Sequence, residues 1–420
     1  MKRLISLPFI VFVLVGCFAQ ESLAQQAFTW QEIREKFEKN NPTLLAGRIG
    51  IEESRAQEIT ASLRPNPTLT ASVDQLHPWK SSKAWVDTLP IVSLSYLFEL
   101  RHKRQLRLES AQKGTAIAIS QLADEQRDLL FTLRSAFVQV LQQKAILELA
   151  KENLSFYDRV LQVSGDRFKA GDIARIDFDR LQLQRVTFES DLETAEVNLR
   201  TAKIQLLMLL NDRAPVEQFD VAGPFDFSEQ ISPLEEFRKI ALDTRPDLRA
   251  AVQSIDQAKT NHRLAEANAS TDPTIAVDFG YNTGLPPGNE AYIGMSVSIP
   301  LCIFDRNQGG RLRTQLDIGR NERVRDAAEA SVYNDVDSAY ATLSSTVVLL
   351  RPYKAKYLQQ AVTVRETVTF SYERGGASLL DFLQAQNDYR SVQRSYLTLM
   401  GSYLTAAAQL NLAVGREVIQ

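Results

Sequence analysis

Four short stretches of the chain alternate apolar residues with small or polar ones. They are Pro67–Gln75, Ile91–Phe98, Thr274–Tyr281 and Tyr292–Pro300. A period of two residues indicates β-strands with one apolar face, and about ten such residues are typical of a strand in a transmembrane barrel. A soluble sheet with one solvated face produces the same alternation. We favour the membrane interpretation, because the opposite face is small and polar in all four stretches, as a water-filled lumen requires.

Apolar residues recur at steps of three and four over a much longer region. Residues from about 102 to 164 contain the apolar series Leu122, Leu129, Leu133, Phe137, Val140, Leu141, Leu147 and Leu154. This period predicts one amphipathic helix of about 90 Å. A helix of that length needs partners along its sides, as in a coiled coil. Residues from about 311 to 372 repeat the pattern, and Pro352 predicts a kink or break there.

The two halves of the chain share one sequence pattern. Gly171, Asp177, Phe178 and Gln182 are matched by Gly375, Asp381, Phe382 and Gln386, always at an offset of 204 positions (375 − 171). Each half predicts a helix, two strands, a long helix, a turn and a returning helix. A two-fold repeat of this length indicates a duplication, because a solenoid needs at least three short units.

This repeat sets the predicted domain boundaries. The first repeat covers 25–211, the second covers 234–415, and residues 416–420 form a tail. Residues 212–233 are rich in Pro, Phe and Asp and have no helical period, so we predict an equatorial linker. The predicted strands lie at about 67–77, 89–98, 273–282 and 291–301, and the turns that end the long helices lie at about 165–176 and 372–378.

The N-terminus has the features of a secretory signal. Lys2 and Arg3 precede the apolar stretch Leu4–Val15, which falls short of the ~20 residues that span a bilayer. The sequence "LVGC" resembles a bacterial lipobox, which would end the signal at residue 16 and attach lipid to Cys17. Ser22–Ala24 suits ordinary cleavage after residue 24 instead. Both alternatives take the protein out of the cytoplasm.

Four strands are too few to close a barrel in a membrane. The smallest bacterial membrane barrels have eight strands, and lipid does not tolerate an open sheet edge. The strands must therefore be pooled between chains, giving eight strands from two copies or twelve from three. Because an eight-stranded barrel is filled by its own side chains, a pore favours three copies. We expect a homotrimer in contact with outer-membrane lipid.

Composition argues against several other classes of protein. A net charge of −3 with 24% charged residues gives no reason to expect a nucleic-acid partner. Three His and two Cys argue against a metal cage or a disulfide framework, so no cofactor is expected. The sequence has neither a nucleophile with an adjacent His nor a phosphate-binding glycine loop. We therefore do not expect an enzyme.

Taken together, these features resemble the TolC-like outer-membrane efflux proteins over essentially the whole mature chain. Phe304–Gly310, "FDRNQGG", follows a strand end and resembles the heavy-metal, CzcC-type branch. Cys302 and Ile303 depart from that branch, which more often has Pro-Leu or similar there. The resemblance implies a mainly α fold with a transmembrane β part, namely a trimeric 12-stranded outer-membrane β-barrel, four strands per chain, continued by a long periplasmic α-helical barrel.

The resemblance also implies a function. It predicts the outer-membrane exit channel of an RND-type efflux system, in which an inner-membrane RND pump and a periplasmic adaptor deliver the substrate. The branch implies heavy-metal cations such as cobalt, zinc, cadmium or copper. Drug efflux and type I protein secretion use the same architecture and stay open as alternatives, as does a periplasmic helical-hairpin structural or adaptor protein.

By resemblance, the two glycine-containing turns are the tips at which adaptor hairpins dock. The predicted docking residues are Ala170, Gly171, Asp172, Arg374, Gly375 and Gly376. The glycines also have a purely structural explanation, because a left-handed residue commonly ends a helix. Asp172 and Ser378 are predicted to cap the returning helices.

Carboxylates near these tips are candidates for a periplasmic aperture. Asp381 matches an acidic position of the family's constriction, and Gln384 stands where some members have a second acid. Asp177 is the first-half counterpart of Asp381, and Asp179 is a weaker candidate. A ring of carboxylates favours the passage of cations. The structural alternative for Asp381 is a capping box, since it lies three residues after Ser378.

Overall fold

The computed structural model describes residues 27–76, 88–282, 286 and 290–419. The predicted signal peptide and Cys17 lie outside the described residues. The elements in chain order are β1 (Ala27–Phe28), α1 (Trp30–Asn40), α2 (Pro42–Ser62), β2 (Thr68–Asp74), β3 (Leu89–Leu97), α3 (Lys103–Ala170), α4 (Arg175–Leu209), β4 (Asp220–Val221), α5 (Leu234–Thr244), α6 (Pro246–Ala267), β5 (Thr274–Tyr281), β6 (Ala291–Ser298), α7 (Gln308–Pro352), α8 (Leu358–Glu373) and α9 (Leu379–Val414).

The four long strands form one antiparallel sheet in the order β2-β3-β5-β6. Its register aligns the apolar residues of all four strands: Leu69 lies opposite Leu94, Leu94 opposite Val277, and Val277 opposite Met295. The adjacent row on the other face is Thr70, Ser93, Asp278 and Gly294. The sheet therefore has one apolar and one polar face, and none of the described strand residues on the apolar face is charged.

Helix α3 is the central element of the helical part. It has 68 residues, which correspond to about 100 Å. It packs against α2, α4, α6 and α9. Among the described residues, no helix combines the length and the apolarity needed to cross a membrane.

Pro352 changes the helical winding without ending the rod. Helix α7 ends at Pro352, a π-helical turn covers Tyr353–Tyr357, and α8 continues at Leu358. The proline ring removes one backbone donor and displaces the carbonyl one turn earlier, and a wider turn absorbs this change. The predicted kink or break is therefore a π-helical insertion between two helical segments.

The chain forms three layers, and each has two open edges. The sheet ends at β2 and β6. Next to the sheet, the helices pack in the order α2-α3-α6-α7. Towards the tips they pack in the order α4-α3-α9-α8, so the long helix α3 belongs to both sets. In every layer one edge comes from the first half of the chain and the other edge from the second half. The helical edges carry exposed apolar side chains, among them Ile49, Leu183, Leu312 and Leu316.

The segment between the halves is tied to the helices by ion pairs. Asp220 in β4 lies 2.5 Å from Lys144 Nζ and 3.3 Å from Lys203 Nζ. Burial raises the pKa of Asp220, but the hydrogen bond from Lys144 and the two ammonium charges outweigh it, so the pKa is lowered. Strand β4 also pairs in parallel with β1. Strand β4, within the predicted linker, is thus held against α3, α4 and β1.

Candidate functional site

The first tip is the turn between α3 and α4. Gly171 ends α3 at φ 85°, in the left-handed region. Its N–H donates to Phe168 O at 3.0 Å, and the Asp172 N–H donates to Arg167 O at 2.9 Å. These two bonds form a Schellman motif, which satisfies the last carbonyls of the helix. A side chain at position 171 would be strained, because L-residues rarely adopt this conformation.

The second tip repeats these bonds between α8 and α9. Gly375 has φ 77°, its N–H donates to Tyr372 O at 3.0 Å, and the Gly376 N–H donates to Ser371 O at 2.8 Å. Ser378 then caps α9 in a capping box with Asp381. The Asp381 carboxylate accepts from Ser378 Oγ at 2.7 Å and from the Ser378 N–H at 3.2 Å.

Asp172 does not cap α4, and this prediction was wrong. The N-cap is Ala174, which offers no side-chain acceptor. Asp172 still belongs to the motif that ends α3, and it lies two residues before the N-cap position of α4, so its side chain is not at the helix start. Ala174 is also the position 204 residues before Ser378, so the internal repeat indicates the correct residue. One tip therefore has a side-chain cap and the other does not.

The two tips touch each other. Arg167 Nη1 donates to Tyr372 O at 2.7 Å, and the guanidinium lies 5.5 Å from the centroid of the Tyr372 ring. Below them, a buried cluster joins α3, α4, α8 and α9; its members are Tyr157, Val160, Leu181, Phe188, Tyr372 and Phe382. Tyr157 donates from its hydroxyl to Leu181 O at 3.0 Å, and burial raises its pKa. The tips are thus held as one unit within the chain.

The structure places the four aperture candidates in different environments. Asp177 is half-buried and lies 3.8 Å from Arg180, and Asp179 is exposed and lies 3.7 Å from Arg175. Asp381 is exposed and engaged in the capping box. The Gln384 amide donates to Asp388 at 2.8 Å. All six predicted docking residues are exposed: Ala170, Gly171, Asp172, Arg374, Gly375 and Gly376.

A family model decides what kind of protein this is. The model described as "Outer membrane efflux protein" matches residues 33–212 and 238–416, which is most of the chain. The chain belongs to this family of outer membrane efflux proteins. The two matched segments correspond to the two halves, and the gap between them falls on the segment that contains β4 and the start of α5.

Similar proteins extend this assignment. The chain is 25% identical to the cobalt-zinc-cadmium resistance protein CzcC of Cupriavidus metallidurans, over 90% of this chain and 87% of that protein. It is 22% identical to the outer membrane protein TolC of Vibrio cholerae, over 99% and 96% of the two chains. A membrane protein from Pseudomonas aeruginosa has the same fold, with a TM-score of 0.77, 17% identity and 92% and 90% coverage.

As an outer membrane efflux protein, the chain is a channel and not an enzyme. It lies in the outer membrane with its helical part in the periplasm. Efflux channels of this TolC-like type are homotrimers that work with a periplasmic adaptor and an inner-membrane pump. Within the described part of the chain, no three His, Cys, Asp or Glu side chains come together as a metal site.

The sheet of this efflux protein contains two carboxylates that are not among the candidates predicted from the sequence, Asp74 and Asp278. Asp278 lies in the middle of β5 on the polar face, between Ser93 and Gly294 on the neighbouring strands. Among the described strand residues, only Asp74 shares this face with it as a charged group. The alternation in β5 was a sufficient signal, because it separates Asp278 from the apolar positions.

Proposed function

We propose that three copies of the chain form a continuous exit duct from the periplasm to the outside of the cell. The observation that carries this proposal is the pairing of edges. In all three layers a first-half edge is open on one side and a second-half edge on the other. A head-to-tail contact between such edges closes into a ring when the rotation per copy allows it. Three copies supply twelve strands, which is enough for a lumen.

The polar face of the sheet supports this arrangement. In a membrane barrel the apolar side chains face lipid and the other side faces the lumen. The apolar row with Leu94 and Val277 then contacts lipid, and the row with Ser93 and Asp278 lines the water-filled path. Both tips lie at the helix ends remote from the sheet, and this supports a periplasmic end at which an adaptor from an inner-membrane RND pump complex would dock.

We propose heavy-metal cations as the cargo. The support is the likeness to the cobalt-zinc-cadmium resistance protein, together with the carboxylates Asp177, Asp278 and Asp381 along the path. Carboxylates in a ring lower the electrostatic barrier for cations. The duct itself supplies no energy, so the pump would determine which metal enters it.

Deletion of the gene tests the cargo. We expect the deletion strain to become sensitive to cobalt, zinc, cadmium or copper salts, and a plasmid copy of the wild-type gene to restore growth. Drug sensitivity and the export of secreted proteins should be unchanged, and both are measured in the same strains. Sensitivity to drugs alone would indicate that the cargo is drugs and not metal cations. A loss of protein export alone would indicate that the cargo is secreted proteins.

Variants of Asp381 distinguish a role in a ring of charges from a role in capping α9 alone. Asp381→Asn removes the charge but keeps an oxygen that can accept from Ser378, so α9 should stay capped. We expect this variant to form channels in planar bilayers with a weaker preference for cations, read from the reversal potential in a salt gradient. Asp381→Ala is the comparison, since it removes both charge and acceptor. An unchanged reversal potential in Asp381→Asn would reduce Asp381 to its capping role.

A further inference from the structure

Basic side chains gather at one end of the sheet. Because the strands are antiparallel, β2 and β5 begin at this end, and β3 and β6 finish there. The helices α2, α3, α6 and α7 adjoin the same end, so it is the periplasmic one. Five exposed arginines flank it, and we call them the basic rim: Arg64, Arg101, Arg306, Arg311 and Arg313.

The arginines of the basic rim have no carboxylate partner within 4.0 Å in the described part of the chain. Two of the three nearby acids are paired with other cations. Asp272 pairs with Lys103 at 2.7 Å, and Glu99 pairs with Arg107. Asp305 accepts from the Asn307 N–H at 2.8 Å. The basic rim therefore carries net positive charge, because its five arginines outnumber the one nearby carboxylate, Asp305, that has no ion pair in the described part of the chain.

Exposed apolar side chains lie directly beside these arginines. They continue the chain from β3 and β6 past the end of the strands: Phe98, Leu100, Leu301, Ile303 and Phe304. Leu301 is 76% exposed and Phe304 is 90% exposed, which is unusual for large apolar groups. Apolar side chains followed at once by cations are typical of a membrane interface, where the apolar part enters the lipid and the cation stays at the headgroups.

Two helix N-termini at the same end lack a side-chain cap. Helices α3 and α7 begin here with no side-chain cap and no acidic residue in the first turn. By contrast, α1 and α9 each have a complete capping box. Uncapped N–H groups at a helix start attract anions such as phosphate. The charge of the arginines and these uncapped helix starts thus favour the same kind of ligand.

We propose that the basic rim, with its apolar neighbours, binds the headgroups of anionic phospholipids in the periplasmic leaflet of the outer membrane. This inference rests on the proposed function only in taking the sheet to span the membrane. The lipid would fix the depth of the sheet, because acyl chains contact Leu301 and Phe304 while phosphates contact the arginines. Each cation near an anionic surface raises lipid affinity about fivefold.

Lipid titration of the purified full-length protein tests the proposal. In neutral detergent, we expect phosphatidylglycerol to bind in preference to phosphatidylcholine, as counted by native mass spectrometry. The double variant Arg101→Gln, Arg306→Gln should lose about 10- to 30-fold in phosphatidylglycerol affinity. The matched control is the double variant Arg48→Gln, Arg416→Gln. It removes two exposed arginines of the helical part that also lack an ion pair in the described structure. We expect it to bind phosphatidylglycerol like the wild type.

Four results would overturn the proposal. Equal binding of both lipids by the wild type, or equal losses in the rim and control variants, would show that the rim does not recognise the lipid. Inorganic phosphate that competes fully with phosphatidylglycerol would indicate a free-anion site. Rim variants that fall apart into monomers in every lipid would show that the arginines join copies. The conductance of the same samples in planar bilayers tests the proposed channel separately. If conductance is absent but the preference for phosphatidylglycerol is retained, only the proposed function is contradicted.

Discussion

Replacing Val277 with arginine is expected to prevent assembly of the protein in the outer membrane. Val277 lies in the middle of β5, it is half exposed, and its row on the apolar face contains Leu94 and Met295. A cation on the lipid face near the bilayer midplane costs about 2–4 kcal/mol per chain. A ring of three chains multiplies this cost. The measurement is the amount of trimer in isolated outer membranes.

The control for this variant is one residue away. Ala276 lies on the opposite, polar face, beside Ser95 and Ser296. Ala276→Arg adds the same side chain, but we expect it to assemble normally because the guanidinium stays in water. If both variants assembled equally well, the apolar face would not contact lipid. If both failed equally, the polar face would be packed instead of lining a lumen.

Replacing Arg245 with methionine is expected to destabilise the helical part by about 3 kcal/mol. Arg245 is 4% exposed and lies just before α6. It donates to Asp247 at 2.6 Å, to Asp335 of α7 at 2.8 Å and to Ala413 O of α9 at 3.3 Å. Removing the guanidinium leaves two carboxylates next to each other without their cation. Urea denaturation followed by helical circular dichroism measures the loss.

Arg238 provides the matched comparison. It makes the same two-pronged pair with Asp337, at 2.8 and 2.6 Å, but its side chain is 27% exposed. Arg238→Met should therefore cost about 0–1 kcal/mol. Losses of similar size in the two variants would contradict the argument from burial.

The dependence of stability on pH offers a second check on the pair of Arg245 and Asp247. Burial raises the pKa of Asp247, but the hydrogen bond and charge of Arg245 outweigh it and lower the pKa overall. A carboxyl with a depressed pKa contributes stability above its unfolded pKa, and this contribution is lost as the pH falls through the folded pKa. Arg245→Met should show less of this acid-induced loss than the wild type.

The faces of the strands could be predicted from the sequence, but their neighbours could not. Alternation assigns Val277 and Asp278 to opposite faces, because successive residues of a strand point to opposite sides. Which residue lies opposite Asp278 depends on register, and this sequence has small residues at many positions that would permit several registers. The placement of Asp278 between Ser93 and Gly294 therefore required the structure.

The tips could also be predicted from the sequence only in part. Gly171 and Gly375 could be recognised as helix ends because few other residues tolerate their conformation. The cap of α4 could not be read from residue type alone, since Asp172 is a good capping residue but lies two residues before the N-cap, Ala174. The contact of Arg167 with Tyr372 joins residues 205 positions apart, and no local pattern reports it.

By itself, the sequence determined the elements of this protein, because periods of two and of three to four residues follow directly from strand and helix geometry. It also determined that four strands per chain leave the sheet open. The tertiary structure decided which helices are neighbours, that Pro352 inserts a π-helical turn, and that arginines without an ion pair in the described structure collect at one end of the sheet. These features depend on contacts between distant residues, whose energies are spread over many side chains and leave no periodic signal in the chain.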